Sequence, residues 1–235
     1  MKKLLTVIIP AAGMGKRMGL GKNKAFLRIS GIPLLVLCLQ MLEDIQMVRR
    51  AVILVGSSEL EEAEAMLKEY SSQFFPGLDW MVAAGGKERQ DSVANGLALI
   101  PENEGFVAVH DGARPFAGRE VFLRTLEKAK EYGAAIAAVS LKDTVKFRDE
   151  KGMVTSTPDR SSLCAVQTPQ IFEIGILRKA YAFLKQHPFP VTDDASLAEA
   201  IGHPVAIAEG SYENIKITTP EDLLLAERIM AKRNK

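Results

Sequence analysis

A long glycine-rich and basic segment at residues 10–24 is the part of the sequence best suited to bind phosphate groups. It reads PAAGMGKRMGLGKNK and shows no helical periodicity. Connections of this length in compact α/β domains usually act on a ligand. Glycines let backbone N–H groups approach a ligand closely, and basic side chains such as Arg17 and Lys24 favour a polyphosphate. Three or four hydrogen bonds to a charged group, each worth about 1.5–3 kcal/mol, would account for micromolar binding.

This segment matches neither of the two common phosphate-binding loops. A dinucleotide fingerprint needs glycine where Met18 stands and an acidic residue about 20 positions later, but the next acidic residue is Glu43. A P-loop needs glycine at position 16 and Ser or Thr at position 23, where this chain has Lys16 and Asn23. A solvated loop without a ligand is the alternative. Residues 1–42 carry seven basic and no acidic side chains, so the positive charge is not balanced locally.

Two further charged residues, Asp111 and Lys216, lie next to or within apolar segments, where a charged side chain suggests a function. Asp111 follows a predicted buried strand, and α/β sheets bind their ligands at the carboxyl ends of the parallel strands. Lys216 lies within an apolar run, where a lysine without a function would be costly to bury. The three histidines, at positions 110, 187 and 203, lack the spacing of a metal cluster and are interpreted as structural.

The elements that must position these residues follow an α/β pattern. Short β-rich apolar runs alternate with helical patterns, which is typical of βαβ units and predicts a mostly parallel sheet with helices on both faces. The predicted strands are residues 4–9, 51–55, 80–83, 106–110, 134–139, 204–208 and 214–217. The predicted helices are residues 59–70, 92–100, 119–132, 175–186 and 193–201, with a last one starting at Pro220 after an N-capping Thr219.

The alternation is interrupted at residues 142–157, which have mixed charge and apolar residues at every second position. This pattern predicts a protruding β-hairpin arm. A hairpin with exposed apolar side chains is only marginally stable alone, so a second subunit is the simplest partner for it.

Composition excludes several classes of protein. The 235 residues include 30 basic and 29 acidic side chains, a net charge of +1 that does not suit a nucleic-acid-binding protein. No apolar run approaches the roughly 20 residues of a membrane helix. Cys38 and Cys164 are far apart and are interpreted as reduced. We therefore expect a cytoplasmic protein that neither binds nucleic acid nor enters a membrane.

The motifs along the chain resemble those of one enzyme family. The first is AAGMGKRM at residues 11–18, followed by Lys24. The others are GGKERQDSV at 85–93, HDGARP at 110–115, DTV at 143–145, QTPQ at 167–170, TDDAS at 192–196 and NIKITTPED at 214–222. In this order and spacing they resemble the 2-C-methyl-D-erythritol 4-phosphate cytidylyltransferases of the non-mevalonate isoprenoid pathway. Asn23 departs from the family, in which proline usually precedes the loop lysine.

The resemblance implies a Rossmann-like, single nucleotidyltransferase domain over residues 1–235, with a dimerisation arm at about 141–165. It also implies that a sugar-phosphate oxygen attacks the α-phosphorus of CTP, with Mg²⁺ assisting and pyrophosphate leaving. Such a reaction needs positioning and electrostatic stabilisation of charge rather than a covalent nucleophile.

The site residues that the resemblance implies fall into three groups. Catalytic residues are Arg17, Lys24 and Lys216. CTP-binding residues are Ala11, Ala12, Gly13, Gly15, Gly85, Gly86, Ser92 and Asp111. Residues for the sugar phosphate are Asp111, Arg114, Thr144, Arg160, Thr168, Thr192 and Lys216, some of them supplied by the neighbouring subunit of a homodimer. Asp111 is also a candidate metal ligand, although Mg²⁺ is expected to be held mainly by the CTP phosphates.

Two alternatives remain at this point. The ribitol 5-phosphate cytidylyltransferases share the loop chemistry and the fold, but their first loop more often begins Ala-Gly-Gly. A non-catalytic module that binds CTP would leave Lys216 and the sugar-phosphate residues without a function.

Overall fold

The computed structural model describes residues 5–13, 23–101, 103 and 105–233. The strands are β1 (Leu5–Pro10), β2 (Arg28–Ile29), β3 (Ile32–Pro33), β4 (Val48–Val55), β5 (Trp80–Ala84), β6 (Phe106–Val109), β7 (Ala134–Ser140), β8 (Phe147–Arg148), β9 (Val154–Ser156), β10 (Cys164–Glu173) and β11 (Ala206–Glu209). The helices are α1 (Leu34–Glu43), α2 (Leu60–Phe74), α3 (Arg89–Ala98), α4 (Gly118–Tyr132), α5 (Ile174–Gln186), α6 (Asp194–Ala200) and α7 (Pro220–Arg233).

Seven strands in the described part of the chain form one sheet, in the order β11-β7-β10-β6-β1-β4-β5. Strand β1 pairs in parallel with both β4 and β6, and only β10 runs antiparallel to its neighbours. Alternate residues of β1 enter two different apolar clusters. Val7 and Ile9 pack with residues of α1 and α2, whereas Ile8 packs with residues of α3 and α5. Helices therefore cover both faces, which confirms the predicted α/β fold.

Helix α1 and strand β10 were not predicted. Eight of the ten residues of α1 are buried, so its sequence is apolar all round and lacks the periodicity that marks a half-exposed helix. Strand β10 is interrupted by a cis Thr168–Pro169 bond and by a register shift between Val166 and Gln170. Proline and buried polar residues within a strand hide its pattern.

The predicted strand at residues 214–217 is wrong, because this segment has no regular structure. The Asn214 side chain donates to the Gln167 side chain at 3.1 Å and to the Thr168 carbonyl at 2.8 Å. The Ile217 N–H donates to the Ala113 carbonyl at 2.9 Å. The segment is thus held against strand ends by individual bonds rather than by a strand ladder.

The predicted hairpin is present as β8 and β9, which form a separate two-stranded sheet and pair with no other strand of the described residues. Its apolar residues Phe147, Met153 and Val154 are 57–66% exposed. Among the described helices, none combines the length and the apolar character needed to cross a bilayer.

Candidate functional site

A cavity of about 500 Å³ opens at the carboxyl end of the parallel strands. This volume is typical of a site for a small molecule. Its lining comes from the segments that follow β1, β5 and β6, from the start of α3 and from the loop before α7. The lining residues are Pro10, Ala11, Ala12, Gly13, Asn23, Lys24, Ala25, Gly86, Lys87, Glu88, Arg89, Ser92, Asp111, Gly112, Ala113 and Lys216. Four of these side chains are basic and two are acidic, so the cavity suits an anion.

Small residues form one side of the cavity because the backbone segments there approach each other closely. The Ala11 N–H donates to the Leu54 carbonyl at 2.7 Å, which fixes the chain directly after β1. A Cβ at Gly86 would lie 2.1 Å from the Cβ of Asp91. One at Gly85 would lie 2.8 Å from the Ser92 hydroxyl. Larger residues would displace this wall.

The Ser92 side chain belongs to the cavity wall rather than to a helix cap. Its Oγ accepts from the Gly86 N–H at 3.0 Å and donates to the Glu88 carbonyl at 3.2 Å. The N-cap of helix α3 is Glu88 instead, and its N–H donates to the carboxylate of Asp91 in the first turn at 3.0 Å. A hydroxyl has two acceptor positions, so one of them stays available to a ligand.

Asp111 is the centre of the charged groups in the cavity. It follows β6 and is 7% exposed. Lys216 Nζ lies 2.8 Å from Oδ2, Arg114 Nε lies 3.6 Å from Oδ2, and Arg89 Nε lies 3.2 Å from Oδ1. Burial alone would raise the pKa of Asp111, but the charges of Arg89 and Lys216 outweigh burial and lower this pKa below its usual value. Asp111 is therefore an anion that holds cations in place, and it is not suited to act as a general acid.

The backbone around Asp111 is fixed by a chain of buried hydrogen bonds. The Asp111 N–H donates to Thr168 Oγ1 at 3.0 Å, and this hydroxyl lies 3.1 Å from His110 Nδ1. His110 Nε2 lies 2.9 Å from the Arg114 carbonyl, which can only accept. Burial lowers the pKa of His110 to about 4. His110 is hence neutral at neutral pH, with its proton on Nε2 and the Thr168 hydroxyl donating to Nδ1.

Lys216 is carried by the irregular segment before α7, which is anchored on both sides of it. Besides the Asn214 and Ile217 bonds already described, the Asp222 carboxylate accepts from the N–H groups of Thr218 and Thr219, both at 2.8 Å. These bonds direct the Lys216 side chain towards Asp111 at the cavity wall.

The end of the glycine-rich segment returns to β1 through Asn23. This buried side chain donates to the Ala11 carbonyl and to the Glu59 carboxylate, both at 2.7 Å, and accepts from the Ala25 N–H at 3.0 Å. Lys24, the first residue of the 3-10 turn Lys24–Phe26, thereby comes to the cavity wall. Two expected site residues, Gly15 and Arg17, lie outside the described residues.

The expected sugar-phosphate residues are not all at the cavity. Arg114 is mostly buried, and its Nη1 donates to the Asn214 carbonyl at 2.7 Å, linking the segments of Asp111 and Lys216. Thr144 and Arg160 are exposed at the arm, where Arg160 Nη1 donates to the Lys142 carbonyl at 2.5 Å. Thr192 is exposed before α6. None of these four is among the described residues that line the cavity, and neither are the buried Thr168 and the expected CTP-binding residue Gly85.

Sequence reasoning missed Arg89 and Asp194. Arg89 pairs with Asp111 and also with Asp194, whose Oδ2 lies 2.7 Å from Arg89 Nη1. Burial alone would lower the pKa of Arg89, but the Asp194 and Asp111 charges raise it above its usual value. Both residues lie within motifs noted in the sequence, yet neither the spacing nor the local pattern indicates that they meet.

Comparison with known proteins gives one consistent family. The chain matches the family model of 2-C-methyl-D-erythritol 4-phosphate cytidylyltransferase over residues 5–232. The protein of that name from Bacillus mycoides is 45% identical over 232 residues, which cover 99% of this chain and 100% of the relative. The one from Bacillus licheniformis is 46% identical over 230 residues, with 97% of each chain covered.

Solved structures agree with these relatives. The 4-diphosphocytidyl-2C-methyl-D-erythritol synthase of Anaerococcus prevotii superimposes with a TM-score of 0.85 at 30% identity, covering 97% of this chain and 96% of that one. The 2-C-methyl-D-erythritol 4-phosphate cytidylyltransferase of Thermus thermophilus gives 0.77 at 34% identity, covering 97% and 98%.

Proposed function

The chain belongs to the 2-C-methyl-D-erythritol 4-phosphate cytidylyltransferase family, and from this premise we propose that its basic cavity is the site where CTP reacts. Its activity is that of the family. It converts 2-C-methyl-D-erythritol 4-phosphate and CTP to 4-diphosphocytidyl-2-C-methyl-D-erythritol and pyrophosphate in isoprenoid biosynthesis. The observation that carries the assignment of the site is the Lys216–Asp111 pair, at 2.8 Å, in a cavity with an excess of cations.

The reaction forms one P–O bond and breaks another at the α-phosphorus of CTP. An oxygen of the sugar phosphate attacks, and pyrophosphate leaves with the electron pair of the broken bond. Two anions must approach each other, so cations are needed around the reacting phosphorus. Lys216 is assigned to the α-phosphate, and Lys24 and Arg17 to the CTP phosphates and the charge that develops on them.

The cytosine is assigned to the wall formed by Ala11, Ala12, Gly85 and Gly86. Backbone groups in this wall can meet the polar edge of the base without side chains in the way. The remaining acceptor position of the Ser92 hydroxyl suits the amino group of cytosine, which is a donor. Gly13 and Gly15 are assigned to the triphosphate.

The sugar phosphate is assigned to the side of the cavity near Asp111. Asp111 is an acceptor for hydroxyl groups of either the sugar or the ribose. The Thr168 hydroxyl supports Asp111 by accepting from its backbone N–H at 3.0 Å. We assign Arg114, Thr144, Arg160 and Thr192 to the sugar phosphate as well. Thr144 and Arg160 are exposed at the arm, which suits residues that act on the site of a neighbouring subunit.

The cavity fits a Mg²⁺ ion that arrives with the nucleotide. Mg²⁺ commonly binds one or two carboxylates together with substrate phosphates. Among the described residues no group of three metal-ligating side chains occurs, and Asp111 is the carboxylate at the centre of the cations. Mg²⁺ held mainly by the CTP phosphates, with Asp111 beside it, would neutralise charge on the triphosphate when bound.

We assign the arm to a homodimer interface. Phe147, Met153 and Val154 expose apolar surface on a two-stranded hairpin that is weak alone. The chain is proposed to be a single nucleotidyltransferase domain, with its dimerisation arm at about residues 141–165. Two free cysteines suit a reducing compartment, and we propose the cytoplasm.

The test is release of pyrophosphate from CTP and Mg²⁺ by the purified protein. We expect release with 2-C-methyl-D-erythritol 4-phosphate and none with ribitol 5-phosphate. Release with ribitol 5-phosphate alone would contradict the assignment of 2-C-methyl-D-erythritol 4-phosphate as the substrate. CTP binding with no release in either reaction would contradict the activity.

A further inference from the structure

A buried carboxylate that does not line the cavity is connected to it by one side chain. Asp194 is fully buried at the start of α6. Its Oδ1 accepts from the Tyr181 hydroxyl at 2.7 Å, and its Oδ2 lies 2.7 Å from Arg89 Nη1. A buried charge with this many partners is costly to build, so it needs an explanation.

The position of Asp194 is itself fixed by strand β10. The Gln170 side-chain oxygen accepts from the N–H groups of Asp194 and Ala195, at 3.1 and 3.0 Å. The Gln170 amide also donates to the Asp193 carboxylate at 2.8 Å. Asp194 is therefore a rigid anchor rather than a surface carboxylate.

Arg89 connects this anchor to the reactive end of the cavity. Its Nη1 faces Asp194, while its Nε lies 3.2 Å from Asp111 Oδ1. The guanidinium group is planar, so fixing one of its nitrogens also fixes the direction of the other. The orientation of Asp111 Oδ1 thus depends on the contact between Arg89 and Asp194.

The charges lead to the same conclusion. Three cations, Arg89, Arg114 and Lys216, surround Asp111. Asp194 neutralises Arg89 and keeps it on the Oδ1 side, which leaves Oδ2 to Lys216 at 2.8 Å and Arg114 at 3.6 Å. Without Asp194, Arg89 would compete with Lys216 for the Asp111 carboxylate.

We propose that Asp194 is a positioning residue of the reaction, which acts through Arg89 to orient the Asp111 carboxylate and Lys216 towards the substrates. The inference rests on the proposed function of Asp111 and Lys216. Asp194 is not among the described residues that line the cavity, whereas Arg89 is, so the effect of Asp194 on the site passes through Arg89.

The experiment is a double-mutant cycle on the full-length protein, with Asp194→Asn, Arg89→Met and the double variant. Steady-state kinetics give kcat and both KM values. We expect Asp194→Asn to raise the KM of the sugar phosphate roughly 10- to 100-fold, the effect of one charge-assisted hydrogen bond. The KM of the double variant should be no higher than that of Arg89→Met, because Asp194 cannot act on Asp111 once the Arg89 guanidinium is gone. Glu199→Gln, an exposed carboxylate on the same helix, is the control and should match the unmodified protein.

KM is the deciding readout because it does not depend on the fraction of active protein, which a merely structural defect would lower. An unchanged KM in Asp194→Asn would overturn the proposal. A KM increase in the double variant equal to the product of the increases in the two single variants would also overturn it. If Asp194→Asn does not fold, Tyr181→Phe keeps both charges and removes only the hydroxyl hydrogen bond. We expect it to raise the same KM about two- to tenfold, and an unchanged KM would again overturn the proposal. Failure of the proposed function differs from both results, because the unmodified protein would then release no pyrophosphate.

Discussion

Replacing Lys216 by alanine separates a catalytic cation from a structural one. The side chain is 42% exposed, and its partner Asp111 keeps Arg89 and Arg114 after the substitution. A half-exposed ion pair contributes at most about 1 kcal/mol to stability. For a chain of this length, a loss of 1 kcal/mol lowers Tm by about 2–4 °C.

The expected loss of activity is much larger than this loss of stability. Removing one donor that stabilises a reacting oxyanion costs about 10²–10³ in kcat. A protein that loses about 1 kcal/mol stays almost fully folded at 25 °C, so unfolding cannot account for such a decrease. The combination of a small change in Tm and a large change in kcat is therefore diagnostic.

The assay is pyrophosphate release at saturating CTP and sugar phosphate, with Tm measured on the same preparations. Lys87→Ala is the matched control, because Lys87 is another lysine of the cavity wall but is exposed. We expect its kcat to stay within about threefold of the unmodified value. If Lys216→Ala keeps a third or more of its kcat, or loses no more than Lys87→Ala, the role assigned to Lys216 is wrong.

Three further predictions concern other parts of the site. Lys24→Ala should lower kcat by about 10²-fold or more with Tm within a few degrees, and near-normal turnover would remove Lys24 from the phosphate site. Gly86→Ala should raise the KM of CTP or destabilise the fold, because its Cβ would lie 2.1 Å from the Cβ of Asp91. A Cβ at Gly175 would meet no other part of the described structure within 4 Å, so Gly175→Ala is the control and should change neither the KM nor the stability. Equal kinetics and Tm for these two variants would contradict the close packing. Burial lowers the pKa of His110 from 6.5 to about 4. Between pH 6.5 and pH 4 the unfolded chain therefore binds a proton at His110 that the folded chain does not. His110 should contribute about 3 kcal/mol to the fall in the free energy of unfolding between pH 6.5 and pH 4, measured by urea denaturation of the unmodified protein and of His110→Gln. His110→Gln should lose this part of the dependence, and an identical pH profile would contradict the assignment.

The sequence predicts those elements in which one pattern dominates. Strand β1 and helix α4 have local patterns that packing does not override, so they were predicted nearly at their observed bounds. Helix α1 is buried on almost every side, and its uniformly apolar sequence carries no period. Strand β10 escapes prediction because Pro169 interrupts it and Gln167, Thr168 and Gln170 are buried polar residues.

The site was predictable in part for similar reasons. Asp111 could be located because it directly follows a buried strand in a parallel sheet, where ligands bind. Lys216 was noticed as a lysine among apolar residues, although its segment is not a strand. The Arg89–Asp194 contact joins two helices that are distant in sequence, and no local pattern encodes such a pair. Only the three-dimensional structure reveals contacts of this kind.

The most direct measurement is a crystal structure of the protein with CTP bound. We predict the triphosphate within hydrogen-bonding distance of Lys24 and Lys216, with the base against Gly85, Gly86 and Ser92. A nucleotide bound elsewhere, with Lys24 and Lys216 remote from its phosphates, would contradict the assignment of the cavity as the site of cytidylyl transfer.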